Sequence, residues 1–167
     1  MSWTAPRTWV DGEVVRARYF NEGVRDNLRA LVGVYAEVLT SETTTSTAFT
    51  NLATVGPSVG VAITGGFNSA DEFTVFFGCH AQNDTAAGSA NMGLDVSGPT
   101  ATAANDTNRC FTRSTATAAT TSIIWGTKFE SLDAGGYTLT AKYKVSAGTG
   151  TFLRRFVLAY PTGPGAV

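Results

Sequence analysis

The feature that most constrains this chain is a repeated alternation of apolar and polar residues. In the stretch GYTLTAKYKVSAG, apolar side chains alternate with Thr and Lys from Tyr137 to Val145. Successive side chains of a β-strand point to opposite faces, so this pattern predicts a strand that is buried on one face only.

The same period of two recurs along the chain in short segments. In PSVGVAIT the inward set is predicted to be Val59, Val61 and Ile63, and in DEFTVFFGC it is Phe73, Val75, Phe77 and Cys79. Further candidates are NMGLDVSG, SIIWGTKFESL and GTFLRRFVLAYP, and glycine-rich turns separate them. Eight or more short strands without intervening helices predict an antiparallel β-sandwich, for which a jelly roll is the expected form.

One segment near the N-terminus has the period of a helix instead. From Arg16 onward, apolar residues recur three or four positions apart and charged residues occupy the opposite arc, which predicts an amphipathic α-helix. The apolar stripe consists of Ala17, Phe20, Val24, Leu28 and Leu31. A lone helix of this length is marginal in water. The stripe therefore needs a cover, either the chain's own sheet or another subunit.

The residues before the helix carry two tryptophans, Trp3 and Trp9. Large aromatic side chains often dominate interfaces, so we expect an anchor that fills a groove on a partner. The predicted organisation is a docking segment with the helix at residues 1–33, a connecting strand or Thr-rich linker at 34–50, and a β-sandwich head at 51–167. The expected fold class is mainly β, with one N-terminal amphipathic helix.

The segment TWVDGEVVRARYFNEGVRDNL resembles the opening of small virion proteins from tailed bacteriophages. Their pattern has the form Trp-x-x-Gly-Glu-x-Val-x-Ala-x-x-Leu-Asn-x-x-Val-Arg-Asp-Asn. The matching residues are Trp9, Gly12, Glu13, Val15, Ala17, Phe20, Asn21, Val24, Arg25, Asp26 and Asn27. Arg16 replaces the usual capping Thr, and Phe20 replaces the usual Leu. The resemblance implies a structural role in a particle.

The last two strand segments resemble, in layout, the closing strands of trimeric jelly-roll heads in complement-like, tumour-necrosis-factor-like and phage fibre proteins. Several residues there and in the segment DEFTVFFGC are apolar on both faces, which is expected when one face packs on a neighbouring subunit. The candidate subunit-interface residues on the head are Phe76, Phe152 and Phe156. An alternative is that these strands are covered by loops of the same chain.

Composition narrows the possible partners. Charged residues make up 15% of the chain and the formal net charge is −1. Phosphate binding and electrostatic membrane binding both need clustered Lys and Arg, so neither nucleic acid nor a membrane is an expected partner. No apolar run approaches the roughly 20 residues that span a bilayer. The sequence also shows no signal-peptide pattern, so we expect synthesis in a cytoplasm. The resemblance to phage virion proteins implies that this is the cytoplasm of a bacterial host and that the final location is the virion.

The residues that could carry chemistry are few. His80 is the only histidine, and its neighbour Cys79 would point to the opposite face of a strand. Metal-ligand spacings are absent from the sequence, and Asp84, Asp95 and Asp106 are more easily read as solvated turn residues than as calcium ligands. We expect no cofactor and no catalysis. Cys79 and Cys110 could pair, although a reducing cytoplasm favours free thiols.

Together with these patterns, the resemblance to phage virion proteins implies a non-enzymatic virion protein that is oligomeric, with a trimer expected, and is either tail-associated or a capsid decoration. Its partners would be itself, other virion proteins and host surface material. The alternative is a free-standing carbohydrate- or receptor-binding module with an exposed aromatic platform. The candidate platform residues are Trp125 and Tyr137.

Overall fold

The described part of the chain forms two antiparallel sheets packed face to face. The computed structural model describes residues 33–63, 72–113 and 119–162. Sheet A contains β1 (Val34–Val38), β2 (Glu42–Thr44), β4 (Glu72–Asn83), β7 (Thr121–Phe129) and β9 (Gly150–Thr162). Sheet B contains β3 (Ser58–Ile63), β5 (Ser89–Ser97), β6 (Arg109–Arg113) and β8 (Gly135–Val145).

The strand order shows how the chain crosses between the sheets. Sheet A has the order β1-β9-β4-β7, with β2 also pairing with β9, and sheet B has the order β3-β8-β5-β6. Strands that are adjacent in space are mostly distant in sequence, as in a jelly-roll-like sandwich. The mainly β, antiparallel architecture predicted from the period of two is confirmed. The predicted helix and the docking residues Trp3, Trp9, Phe20, Val24, Leu28 and Leu31 lie outside the described residues.

The core lies between the sheets, where the alternating apolar side chains meet. The inward sets predicted for β3, β4 and β8 are all buried. The ring of Phe73 lies 5.2 Å from that of Phe129 and 5.9 Å from that of Tyr137, measured between centroids. The rings of Tyr143 and Phe152 are 4.9 Å apart. Aromatic pairs from both sheets therefore hold the two layers together.

A β-bulge in β9 changes which residues face the core. Gly78 pairs with Phe156, but His80 pairs with Leu153, so one extra residue is accommodated in β9. Arg154 lies in the bulge, and its φ of 49° is in the left-handed region. The alternation shifts at this point. The prediction that Phe152 shares an outward face with Phe156 is wrong, because the bulge turns Phe152 into the core.

Residues 34–50 are part of the sandwich. β1 and β2 both pair with β9 in sheet A. The chain then crosses to sheet B, where Val145 N–H donates to the carbonyl oxygen of Ser46 at 2.8 Å. Thr50 and Tyr143 exchange two backbone hydrogen bonds at 3.0 and 2.8 Å. The Thr-rich stretch was expected to be either a linker or a strand, and residues 42–44 form an edge strand. Within the described ranges, no helix has the length and hydropathy needed to cross a bilayer.

Candidate interaction surfaces

The outward side of sheet A carries a row of large apolar side chains. Leu158 of β9 pairs with Tyr35 on one side and Phe76 on the other, so the three side chains stand next to one another. Tyr35 is 56% exposed and Phe76 is 39% exposed. We call this surface the aromatic face, and it consists of Tyr35, Phe76, Ile124, Phe156, Leu158 and Tyr160.

Three rings of the aromatic face lie over glycines that are adjacent to them in sheet A or next to its first strand. The three glycines are Gly126, Gly78 and Gly33, and a Cβ atom added at any of them would fall 2.6 to 3.0 Å from a ring carbon. The ring–glycine pairs are Phe76 on Gly126, Phe156 on Gly78 and Tyr160 on Gly33. A ring that covers a glycine also shields that strand's backbone from water, which is one way in which sheets tolerate glycine.

Polar groups border the aromatic face. Lys128 Nζ lies 2.5 Å from a carboxylate oxygen of Glu72 and 2.8 Å from one of Glu130. At the opposite edge, the hydroxyl of Tyr35 donates to Glu37 at 2.8 Å. An apolar centre with a polar rim is the usual anatomy of a protein–protein interface. Phe76 and Phe156 lie in this centre, so their predicted interface role remains a prediction that the geometry permits.

A second surface is a cleft at the side of the sandwich where the edge strands β6 and β7 face each other. Its volume is about 390 Å³. Trp125, which is 44% exposed, is paired with the buried Phe77 and so stands at the margin of the inter-sheet space. Across the cleft, the guanidinium carbon of Arg109 lies 5.1 Å from the centre of the Phe111 ring. The lining residues are Arg109, Cys110, Phe111, Ser122, Ile123, Ile124 and Trp125.

The structure separates the two residues of the predicted ligand platform. Tyr137 is 2% exposed, and its hydroxyl donates to the carbonyl oxygen of Asp133 at 2.8 Å. The prediction that it forms an exposed platform with Trp125 is therefore wrong, since alternation in β8 turns its ring into the core. The exposed neighbour across the cleft is Phe111, which the sequence reading missed. Its place between Cys110 and Thr112 in a short alternating segment was the available signal.

A buried charge cluster lies under β9. Arg155 has no exposed surface, and its Nη1 lies 3.1 Å from Oε2 of Glu42. Nη2 donates to the carbonyl oxygen of Thr40 at 3.3 Å, whereas neither Nε nor Nη1 has a hydrogen-bond partner among the described residues. The guanidinium carbon also lies 5.4 Å from the centre of the Tyr143 ring. Arg155 thus ties β9 to the segment that leads from sheet A to sheet B, and no local sequence pattern indicated this.

Glu42 receives hydrogen bonds from a second element as well. The backbone N–H of Thr54 donates to it at 3.0 Å, and the Thr54 hydroxyl donates to the same oxygen. Burial by itself would raise the pKa of Glu42. The hydrogen bonds from Thr54 and the nearby Arg155 outweigh burial and lower that pKa below its ordinary value. Glu42 is therefore a charged junction between β2, β9 and the 51–57 segment.

Few groups in the described residues are arranged for chemistry. Asp106 pairs with Lys144 at 2.6 Å and with Arg109 at 2.7 Å, so its charge is neutralised within the chain. In the three described ranges, no group of three or more His, Cys, Asp or Glu side chains is placed to hold a metal ion. His80 is half-buried in β4, and its neighbour Cys79 is buried, as alternation requires.

No protein-family model matches the chain, and a search of curated proteins found no match. Among solved structures, the chain is similar to Eiger TNF from S. frugiperda, with a TM-score of 0.41 and 9% identity over 77% of this chain and 96% of that one. A family 35 carbohydrate binding module from Clostridium thermocellum gives a TM-score of 0.33 and 15% identity over 75% and 90%. Murine APRIL gives 0.30 and 14% over 72% and 98%. With TM-scores below 0.5, these likenesses assign neither family nor function.

Proposed function

We propose that this chain is a non-enzymatic structural protein of a tailed bacteriophage particle. It forms a homotrimer whose β-sandwich heads are joined through the aromatic face. The segment with Trp3, Trp9 and the stripe Phe20, Val24, Leu28 and Leu31 docks the trimer on the tail or on the capsid. The phage assignment rests on the sequence resemblance of residues 9–27.

The observation that carries the oligomeric part of the proposal is the exposed aromatic face. Soluble monomers rarely leave a contiguous apolar patch of several large side chains in water, and such patches mark interaction sites. In a trimer, the three copies turn this face toward a common threefold axis, so that each aromatic face packs against those of its two neighbours. The charged groups Glu37 and Lys128 lie at the rim, where they remain solvated.

The oligomeric role can be tested with one charge on each sheet. Phe76→Glu places a charge in the aromatic face, whereas the control Thr138→Glu places one on the exposed outer side of sheet B. Sedimentation should show trimers for the wild type and for Thr138→Glu, and at least a roughly 100-fold weaker association for Phe76→Glu. A monomeric wild type at micromolar concentration, or equal weakening by both variants, would contradict the proposed interface.

Docking can be tested separately on particles. Deleting residues 1–32 leaves every strand of the two sheets in place, since β1 begins at Val34. The truncated protein should fold and be missing from purified particles. Val24→Asp, in the apolar stripe of the predicted helix, should reduce incorporation more than Arg18→Asp, since Arg18 is one of the charged residues on the opposite arc. Full incorporation of the truncated protein would refute docking through this segment. Copy number per particle distinguishes a decoration, present many times, from a tail protein, present in few copies.

A second candidate function is a carbohydrate- or receptor-binding module. The observation that favours it is the half-exposed Trp125 in a cleft that also presents Phe111 and the guanidinium of Arg109. An aromatic ring with a polar neighbour is a common way to hold a small polar ligand. Glycan-array binding that is lost in Trp125→Ala, while trimers form normally, would favour this function over the structural one.

A further inference from the structure

The cleft between β6 and β7 presents one charged side chain in an otherwise uncharged wall. That side chain is Arg109, and the other described residues that line the cleft carry no charge. They include the aromatic rings of Phe111 and Trp125. A single charged group beside apolar and aromatic side chains is the kind of group that orients a ligand in a small-molecule site.

The chain holds the guanidinium of Arg109 in place. Its Nη1 donates to Oδ1 of Asn91 at 2.9 Å and to Oδ1 of Asp106 at 2.7 Å. Asn91 is buried, and its own Nδ2 donates to the Ser89 hydroxyl at 3.0 Å, so the amide is held with its oxygen toward Arg109. The ring of Phe111 lies against the guanidinium, with 5.1 Å between its centre and the guanidinium carbon. A ligand that binds Arg109 therefore does not have to order this side chain first.

One edge of this guanidinium is open. Among the described residues, Nε and Nη2 of Arg109 have no hydrogen-bond partner, since both of its hydrogen bonds come from Nη1. The side chain is 26% exposed, so water reaches it. The Nε–H and one N–H of Nη2 point side by side from the same edge of the planar group, and this fork matches the two oxygen atoms of a carboxylate. The open edge is therefore a preformed site for a planar anionic group.

The charges around Arg109 leave one positive charge in excess. The Asp106 carboxylate lies 2.7 Å from Arg109 and 2.6 Å from Nζ of Lys144, so two cations share one anion. The hydrogen bond with Lys144 and the charges of both cations lower the pKa of Asp106, which therefore stays ionised at neutral pH. The cluster is positive although the whole chain has a formal net charge of −1. One further negative charge would neutralise it.

We propose that the cleft binds a small molecule that carries one carboxylate on a flat ring. The carboxylate accepts hydrogen bonds from Nε and Nη2 of Arg109, and the ring packs on Trp125. This inference rests on the second candidate function and deepens it, because it names the ligand class for the same cleft. A carboxylate fits better than a phosphate monoester, whose charge of about −1.5 to −2 at neutral pH exceeds the single positive charge available. The cleft volume of about 390 Å³ lies within the usual range for small-molecule sites.

The test compares acids with neutral molecules of closely similar shape. Phenylacetate is paired with phenylacetamide, and glucuronate is paired with glucose, so the two pairs distinguish an aromatic ring from a sugar ring. Binding to the full chain is followed by the NMR signals of the Arg109 Nε–H and the Trp125 indole N–H. In at least one pair the acid should bind roughly 10-fold more tightly than its neutral partner, because hydrogen bonds between charged groups are stronger than neutral ones. Both signals should shift when that acid binds.

Substitutions separate the effect of the fork from the effect of charge. Arg109→Lys keeps the positive charge but loses the fork, so the preference for the acid should fall to roughly 3-fold or less. Trp125→Ala should weaken binding of both members of the pair and leave their ratio unchanged. The matched control is Lys142→Gln, which removes one cation from the exposed side of sheet B outside the cleft. This control should leave the preference for the acid unchanged.

The outcomes distinguish this inference from the function that it deepens. Equal binding of an acid and its neutral partner would overturn the carboxylate site and leave the binding function standing. An equal loss of preference in Lys142→Gln and Arg109→Lys would also overturn it, since the effect would then be one of net charge. If none of the compounds binds at roughly 20 mM, the carboxylate site is refuted, whereas the binding function is decided by the glycan array. The wild-type comparison needs no substitution, so it remains decisive even if a variant fails to fold.

Discussion

The outward sides of the two sheets differ, although both are built on the same alternation. Sheet A presents the aromatic face. Apart from the exposed Phe111 on its edge strand β6, sheet B presents mainly hydroxyl and ammonium groups that find partners within the chain. The hydroxyls of Ser58 and Thr140 are 2.9 Å apart, and Lys142 donates to Asn51 at 2.8 Å. Lys144 Nζ lies 2.6 Å from Asp106 and 4.7 Å from the centre of the Phe49 ring.

The difference shows that the inward-facing side chains of a strand determine the fold, whereas the outward-facing side chains determine what else the molecule can contact. Sheet B satisfies its polar groups with its own loops. Sheet A leaves large rings uncovered and turns one cation, Arg155, into the core. The same contrast predicts different responses to substitution on the two sheets.

The largest effect is expected from the inward charge of sheet A. Arg155→Ala removes a buried cation and leaves Glu42 without its ion-pair partner, so the free energy of unfolding should fall by about 3–5 kcal/mol. Lys142→Ala on sheet B removes one exposed contact and should cost less than about 1 kcal/mol. Urea unfolding at neutral pH measures both. Similar losses in the two variants would mean that the contrast between the sheets has no energetic counterpart.

Glycines on the two sheets should respond differently as well. A Cβ atom at Gly78 would collide with the carbonyl oxygen of Ile123, which belongs to rigid backbone. At Gly60 on sheet B the nearest atom is the Tyr137 carbonyl oxygen at 4.0 Å. Gly78→Ala should therefore destabilise the fold by about 1–3 kcal/mol, and Gly60→Ala should change it by no more than about 0.5 kcal/mol. Thermal unfolding of the two variants provides the comparison.

Acid should act on both sheets through their depressed carboxylates. The pKa of Glu42 is lowered by Thr54 and Arg155 against the effect of burial, and that of Asp106 is lowered chiefly by its hydrogen bond with Lys144. A lowered folded-state pKa contributes stability above the ordinary carboxyl value of about 4, and this contribution is lost as pH falls through the folded-state value.

Glu42→Gln removes a titrating group from the more buried of these two sites. Urea unfolding between about pH 5 and pH 2 should show a shallower loss of stability for Glu42→Gln than for wild type. Asp106→Asn should change the slope less, because Asp106 is exposed and its pairs are screened by solvent. A larger change for Asp106→Asn would reverse the comparison.

The smallest effect is expected on the hydroxyl pair of sheet B. Ser58→Ala combined with Thr140→Val removes an exposed hydrogen bond and leaves both strands in register, so stability should change by less than about 0.5 kcal/mol. Assembly should be unchanged in sedimentation. A loss well above 1 kcal/mol would show that sheet B depends on this pair more than its exposure suggests.

The alternation in the sequence predicted much of the core. The inward sets of β3, β4 and β8 follow from side-chain period alone, and Phe76 was placed correctly on the side opposite Phe77. The prediction failed in β9, where the bulge at Arg154 shifts the alternation. No local sequence pattern around Arg154 predicts this shift. The bulge depends on how β9 pairs with β4, whose residues lie about 75 positions earlier in the chain.

The candidate sites were less predictable than the core. Trp125 lies in a cleft only because β7 and β6 are the edge strands of two different sheets, which no local pattern specifies. Tyr137 cannot form an exposed platform, because the alternation of its own strand turns it inward. Phe111 was missed because β6 is short and polar in context.

By itself the sequence determined that this chain forms strands with one apolar face for the core, because alternating side chains point to opposite faces whatever lies next to them. The tertiary structure alone decided which strands are at the edges, where β9 bulges, and that Glu42 meets Arg155. These outcomes depend on cross-strand register and on the packing of one sheet on the other, which join residues that are far apart in the chain.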